Sequence, residues 1–138
     1  MKKSLFIVSL LIILFSATSV AQEKNYQLSS HILDINLGKP APGVLISLSR
    51  MNDDQSWSLI EERTTDSNGR VKDFLETDPG TARTGIYKLT YHVSPYFQAQ
   101  NQSTFYPFIE VVFEIKDNNH YHVPITLSPF GYSTYRGS

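Results

Sequence analysis

Beyond residue 21 no long run of the chain keeps a 3.6-residue apolar period. Apolar side chains instead recur at every second position, in short runs broken by turn residues. A period of two sends alternate side chains to opposite faces of a strand, so this pattern restricts the chain to an all-β sandwich or barrel. The first run, Leu28 to Ile35, puts Leu28, Ser30, Ile32 and Asp34 on one face and Ser29, His31 and Leu33 on the other. Val44 to Arg50, with Val44, Ile46 and Leu48 facing one way, Trp57 to Thr65 and Ile86 to His92 follow. Phe108 to Ile115, His120 to Leu127 and a short run around Tyr132 to Tyr135 bring the clear runs to seven. About eight strands in one domain suit two packed sheets of four.

The connections carry their own signals. Gly38-Lys39-Pro40-Ala41-Pro42-Gly43 reads as a stiff link, because its prolines and glycines cannot continue a ladder. Asn52-Asp53-Asp54 and Lys116-Asp117-Asn118-Asn119 are polar turns. Asp66-Ser67-Asn68-Gly69 is a strong one, since Asn-Gly accepts the backbone angles of a tight hairpin, and Arg70 leaves it directly. One helix is expected: Ser94 as N-cap, Pro95 in the first helical position, and one or two turns over Tyr96 to Gln100.

Residues 1 to 21 are expected to be a secretory signal peptide rather than part of the fold. Lys2 and Lys3 make a positive start, Leu5 to Phe15 an apolar stretch, and Ser16 to Ala21 a run dominated by small residues with cleavage before Gln22. The apolar stretch is short for a membrane span, although an uncleaved anchor is the alternative. The expected destination is a bacterial periplasm, with no lipid anchor because no cysteine is present to acylate. Residues 22 to 138 then form one domain with ten basic and thirteen acidic side chains, a formal charge of −3. That balance favours neither nucleic acid nor, after cleavage, a membrane surface. Zero cysteines exclude disulfides and thiol chemistry, so stability must come from core burial and, for a domain this small, from subunit contacts.

Four histidines are available for chemistry: His31, His92, His120 and His122. His120 and His122 sit two apart in a strand, hence on one face, while Tyr121, Val123, Ile125 and Leu127 face the core. The pair fits a general base, a solvated surface pair, or a zinc site with a third histidine, since catalytic zinc takes three protein ligands and an open position. Pro124 has no amide hydrogen, which implies an edge, a bulge or an amide turned out of the ladder. Arg70 is either an exposed hairpin residue or a fixed cation whose forked donors receive a planar, oxygen-rich ligand. No Gly-x-Ser-x-Gly elbow and no phosphate-cradling glycine loop occurs. The final residues, Ser128 to Ser138, stay aromatic and polar where most domains fray. They are expected to pack, with the Ser138 hydroxyl and the terminal carboxylate part of a site that an extension past Ser138 would clog.

Three motifs, in order, carry a resemblance over residues 27 to 138. These are Ser29-Ser30-His31-Ile32-Leu33-Asp34 with Gly38 to Val44, then Thr65 to Arg70, then His120-Tyr121-His122-Val123-Pro124 through to Ser138. They resemble the transthyretin-related proteins, and the closing Tyr135-Arg136-Gly137-Ser138 resembles the 5-hydroxyisourate hydrolase branch rather than the hormone carriers. Ser30 and Phe130 depart from the threonine and tyrosine commoner there, and neither change removes a titrating group. The resemblance implies a transthyretin-like sandwich of two four-stranded sheets with one short helix, assembled as a homotetramer whose sites lie where dimers meet. It implies hydrolytic opening of the six-membered ring of 5-hydroxyisourate in urate breakdown, without metal or cofactor. Carried over by motif, His31, Arg70 and His122 form the polar triad, and Tyr135 and Ser138 the substrate-contacting tail. His31 and Arg70 would also bind substrate. Two competing readings are a periplasmic carrier of the same fold without turnover, and a structural or adhesive sandwich that would lack the histidine–arginine cluster.

Overall fold

The structure, a computed structural model, describes residue 21 and residues 23 to 138; the expected signal peptide lies outside them. Nine strands and one helix follow in order: β1 (Asn25–Asp34), β2 (Lys39–Pro40), β3 (Leu45–Met51), β4 (Trp57–Thr64), β5 (Arg70–Thr77), β6 (Gly85–Tyr91), α1 (Ser94–Gln98), β7 (Ile109–Ile115), β8 (Tyr121–Ser128) and β9 (Gly131–Thr134). They form two sheets. One runs β4-β3-β6-β7, and the other runs β2-β1-β8-β9 with β5 also paired to β1.

The expected four-plus-four arrangement therefore gains a short fifth strand. Lys39–Pro40, read from sequence as a link that could not pair, lies against Leu33 and Asp34 at the end of β1. β5 pairs with Asn25 to His31 of β1, so β2 and β5 occupy successive lengths of β1. Proline is tolerated because a two-residue strand at a sheet edge needs few ladder donors.

Alternation builds the core as the sequence indicates. Leu28, Ser30, Ile32 and Asp34 of β1 are all buried, as are Tyr121, Val123, Ile125 and Leu127 of β8. Facing them are Ile46, Leu48, Tyr87, Leu89 and Tyr91 of the second sheet, with Phe74 and Phe97. Burying one such Leu, Ile or Phe side chain contributes about 1.5–3 kcal/mol. Ser30 is tolerated in this layer because its hydroxyl reaches Tyr91 Oη at 2.9 Å and donates to the Val123 carbonyl at 2.8 Å.

Helix α1 begins after Val93 at the N-cap, with no side chain capping it and proline in its first turn. Ser94 is thus the first helical residue rather than the cap. The helix is held from its side: Tyr96 donates its hydroxyl hydrogen to Asp34 Oδ2 at 2.7 Å. Burial, then Asp34, pushes the Tyr96 phenol up to about 12, so this bond keeps its proton throughout the neutral range. Asp34 Oδ1 accepts from the amides of Asn36 and Leu37, so the buried carboxylate is fully occupied.

Two details of the sheets prepare the functional region. The Asp66 carboxylate accepts from the amides of Asn68 and Arg70 at 2.8 and 2.9 Å, locking the turn that starts β5. Gly69 has φ +68°, and a Cβ there would come within 2.6 Å of the Ile32 carbonyl. Only glycine lets this turn lie on β1, which fixes where Arg70 enters the sheet. At the other end, β9 pairs with β8 as far as Ile125 and Thr134, and the pairing resumes at His122 and Gly137. Pro124 occupies the break, opposite Tyr135 in the same register. Its missing amide is where the ladder is interrupted.

Candidate active site

Three neighbouring strands bring the polar residues together. In the antiparallel pairing of β1 with β5, His31 lies opposite Arg70. In the parallel pairing of β1 with β8, Ser29 lies opposite His122 and His31 opposite Pro124. Paired residues share a face, so Ser29, His31, Arg70 and His122 all project from the side of the sheet away from the core. Gly137 donates its amide hydrogen to the His122 carbonyl at 2.9 Å, which draws the final residues over the same face.

A cleft of about 350 Å³ results, lined by Ser29, Arg70, His120, His122, Tyr135, Gly137 and Ser138. Four of the five sequence-derived site residues line it or are paired into it through β8 and its tail: Arg70, His122, Tyr135 and Ser138. His31, the fifth, stands beside it on β1 opposite Arg70. A larger hollow of about 400 Å³ lies toward β7 and shares His122 and Tyr135, but contains neither Arg70 nor Ser29. The titrating groups converge on the smaller one.

The tail is held differently from expectation. Its backbone is paired, yet its side chains are mostly open: Tyr135 is 61% and Phe130 72% exposed. Arg136 places its guanidinium 4.8 Å from the centre of the Tyr121 ring. Gly137 is the exception to this openness, because a Cβ there would strike the His122 ring. The glycine is thus needed for the tail to lie against the histidine.

Electrostatically the site sets a guanidinium beside two imidazoles on adjacent strands. Among the described residues no carboxylate forms an ion pair with the Arg70 guanidinium. Burial lowers the His122 pKa, helped by the positive charge of Arg70 and then by His31 and His120. Burial and then Arg70 lower His31 too, against weaker opposing effects of the Asn68 backbone and Asp66. Both imidazoles are therefore neutral around pH 7 and can accept a proton. Arg70 offers its forked donors to oxygen.

One residue given no role from sequence, Ser29, and one left unranked, His120, belong to this region. Ser29 Oγ is 2.8 Å from both His120 Nε2 and His122 Nδ1. His120, which strand alternation alone could not rank against His122, contacts the Tyr26 carbonyl at 3.0 Å through Nδ1. Ser29 shares a face with His31 by alternation, and that was the available signal; its pairing with a residue 93 positions later was not. Among the described residues no three His, Asp or Glu side chains stand together so as to hold a metal ion, which does not favour the zinc arrangement.

Comparison with known proteins agrees with this geometry. Residues 28–137 match the HIUase/Transthyretin family. A protein of Caenorhabditis elegans named as a probable 5-hydroxyisourate hydrolase is 50% identical over 113 residues, 80% of this chain and 81% of that one. Klebsiella pneumoniae 5-hydroxyisourate hydrolase superposes with a TM-score of 0.66 at 33% identity, over 80% of this chain and 98% of that one. Sparus aurata transthyretin gives a TM-score of 0.74 at 29% identity, over 82% and 97%. With two β-sheets, the motif order and the matched span all in agreement, the chain belongs to the HIUase/Transthyretin family.

Proposed function

We propose that this chain is a hydrolase that opens the six-membered ring of 5-hydroxyisourate, yielding 2-oxo-4-hydroxy-4-carboxy-5-ureidoimidazoline. The observation that carries the reading is the Arg70 guanidinium, without an ion pair among the described residues, beside two imidazoles whose pKa values are both depressed, at a cleft sized for a small ligand that Arg70 and His122 line and His31 adjoins. The relatives named as 5-hydroxyisourate hydrolases support the same substrate.

The chemistry follows from those groups. A water held by His31 and His122 gives one proton to an imidazole as its oxygen attacks the ring carbonyl. Negative charge builds on the carbonyl oxygen, where Arg70 donates to it. The ring carbon–nitrogen bond then breaks, the leaving nitrogen takes the proton back from the imidazolium, and the carbonyl carbon becomes a carboxylic acid that releases its remaining proton to water to give the carboxylate. General-base catalysis supplies roughly 10²–10⁴-fold, and each oxyanion donor about 10²–10³-fold. Tyr135 and Ser138 contact the substrate from the tail. No cofactor enters the scheme.

The working form is a homotetramer with sites where dimers meet. Tyr135 is exposed at the cleft, and Phe105, Phe130 and Tyr132 are exposed around the far end of β8 and β9; this uncovered apolar surface supports subunit contact. Light scattering on the purified chain tests the assembly. Export to the periplasm rests on the basic start and apolar stretch of residues 1 to 21, and a mature N-terminus at Gln22 by mass spectrometry tests it.

The activity has a direct test. Urate oxidase generates 5-hydroxyisourate in place, and its ultraviolet absorbance is followed with and without this protein. Faster decay is expected; an unchanged decay rate overturns the hydrolase, and binding without decay would make the chain a carrier.

A further inference from the structure

Proton positions can be assigned along a line of four groups starting from one fixed end. The Tyr26 carbonyl oxygen can only accept, so His120 Nδ1 at 3.0 Å carries a hydrogen and donates it. A neutral His120 then has a bare Nε2. That nitrogen is 2.8 Å from Ser29 Oγ and receives the single hydroxyl hydrogen. Having donated, Ser29 can only accept across its other contact, so His122 Nδ1, also at 2.8 Å, carries a hydrogen. The remaining ring nitrogen, His122 Nε2, is left with a free lone pair. Among the described residues it has no hydrogen-bond partner, yet it is not sealed from solvent, and its ring lines the cleft with Arg70.

We infer that Ser29 and His120 are positioning residues, which hold His122 in the Nδ1–H form with Nε2 facing the cleft as the proton acceptor. This inference rests on the hydrolase reading and assigns the base within it. The backbone carbonyl of Tyr26 cannot change protonation, so with His120 neutral the direction of every bond in the line is set by the fold. His122 then meets the attacking water already in the tautomer that can take its proton, with no reorganisation at the moment of reaction. Both ends of the line are anchored: Gly137 bonds the His122 backbone on one side, and Tyr26 belongs to β1 on the other.

Nitrogen-15 spectra of the imidazoles in the full chain, recorded above their titration range, read the tautomer independently of turnover. The wild type should show His122 as Nδ1–H. Ser29→Ala should shift it toward Nε2–H and lower kcat/KM about tenfold through kcat, with KM little changed. Ser29→Thr, which keeps the hydroxyl, should restore both signals. A wild-type His122 protonated on Nε2 overturns the inference, as does Ser29→Ala with unchanged tautomer and rate. The wild-type spectrum decides alone should Ser29→Ala not fold. No turnover with the Nδ1–H signature intact would strike down the hydrolase reading while supporting the positioning role.

Discussion

Each sheet carries a serine set against histidine on its outer face, and the two clusters do different things. On β1 and β8, Ser29 lies between His120 and His122. On β3, Ser47 donates its hydroxyl hydrogen to Glu62 Oε1 at 2.8 Å and so accepts from His92 Nε2 at 2.9 Å. The residue types nearly coincide; the surroundings do not. Beside His122 stand a cleft and a guanidinium that has no ion pair among the described residues. Beside His92 stands a carboxylate, and none of Ser47, Glu62 and His92 lines the cleft with Arg70. A serine–histidine contact is therefore not chemistry by itself. It becomes chemistry where a bare nitrogen, a fixed cation and space for water coincide.

The largest effects should separate the two clusters outright. His122→Ala should lower kcat/KM by about 10²–10⁴-fold and Arg70→Ala by about 10²–10³-fold, measured as decay of 5-hydroxyisourate absorbance. His92→Ala should leave the rate unchanged. Equal losses at His92 and His122 would break the contrast.

Next comes the tail. Gly137→Val pushes a side chain into the His122 ring and should cost about 10²-fold in kcat/KM, the scale of a displacement near 1 Å. Gly131→Ala is the control, because its Cβ would meet only Ser128 Oγ, at an ordinary 3.6 Å. A similar loss in both would show that the tail matters as a whole and not through its contact with His122.

Ser47→Ala should cost stability and not rate. It leaves partners of a largely buried hydroxyl unsatisfied, about 1 kcal/mol by denaturant titration, at unchanged kcat/KM. A fall in rate without a fall in stability would give the second cluster a role denied to it here.

The smallest effect is on pH. Because the folded His122 pKa is lowered, the rate should rise with pH through a midpoint below the ordinary imidazole value and then level off. Arg70→Gln removes the second of the depressing causes but leaves burial, so the midpoint of the residual activity should rise and stay below that ordinary value. A midpoint that moves down would contradict the sign. Stability follows the same linkage: the unfolded chain takes up protons first as pH falls, so acidification through the imidazole range weakens the fold.

Much of this was legible from residues alone, and the failures are physical. Alternation in β1 and β8 sorted core from site face correctly, because a half-buried strand must alternate. The Asp66–Gly69 turn was legible because its chemistry is local. β2 was not, since two residues at an edge pair through backbone geometry that leaves no side-chain pattern. The extent of β5 was obscured by its charged positions Lys72, Asp73 and Glu76 and by Leu75, whose φ of 57° interrupts regular strand geometry. The helix cap was misplaced by one residue because side contacts with Asp34, rather than a capping serine, hold that end.

The sequence by itself determined most of the strands and their buried faces, the Asp66–Gly69 turn, and a short roster of groups able to move protons or bind oxygen. Those follow from periods and propensities acting within a few residues. Only the tertiary structure decided that β8 runs parallel beside β1 in the register that sets Ser29 against His122. That register joins segments some ninety residues apart, and it is selected by the fit of two whole sheets around a common core. No local pattern encodes it, and the direction of every proton in the site depends on it.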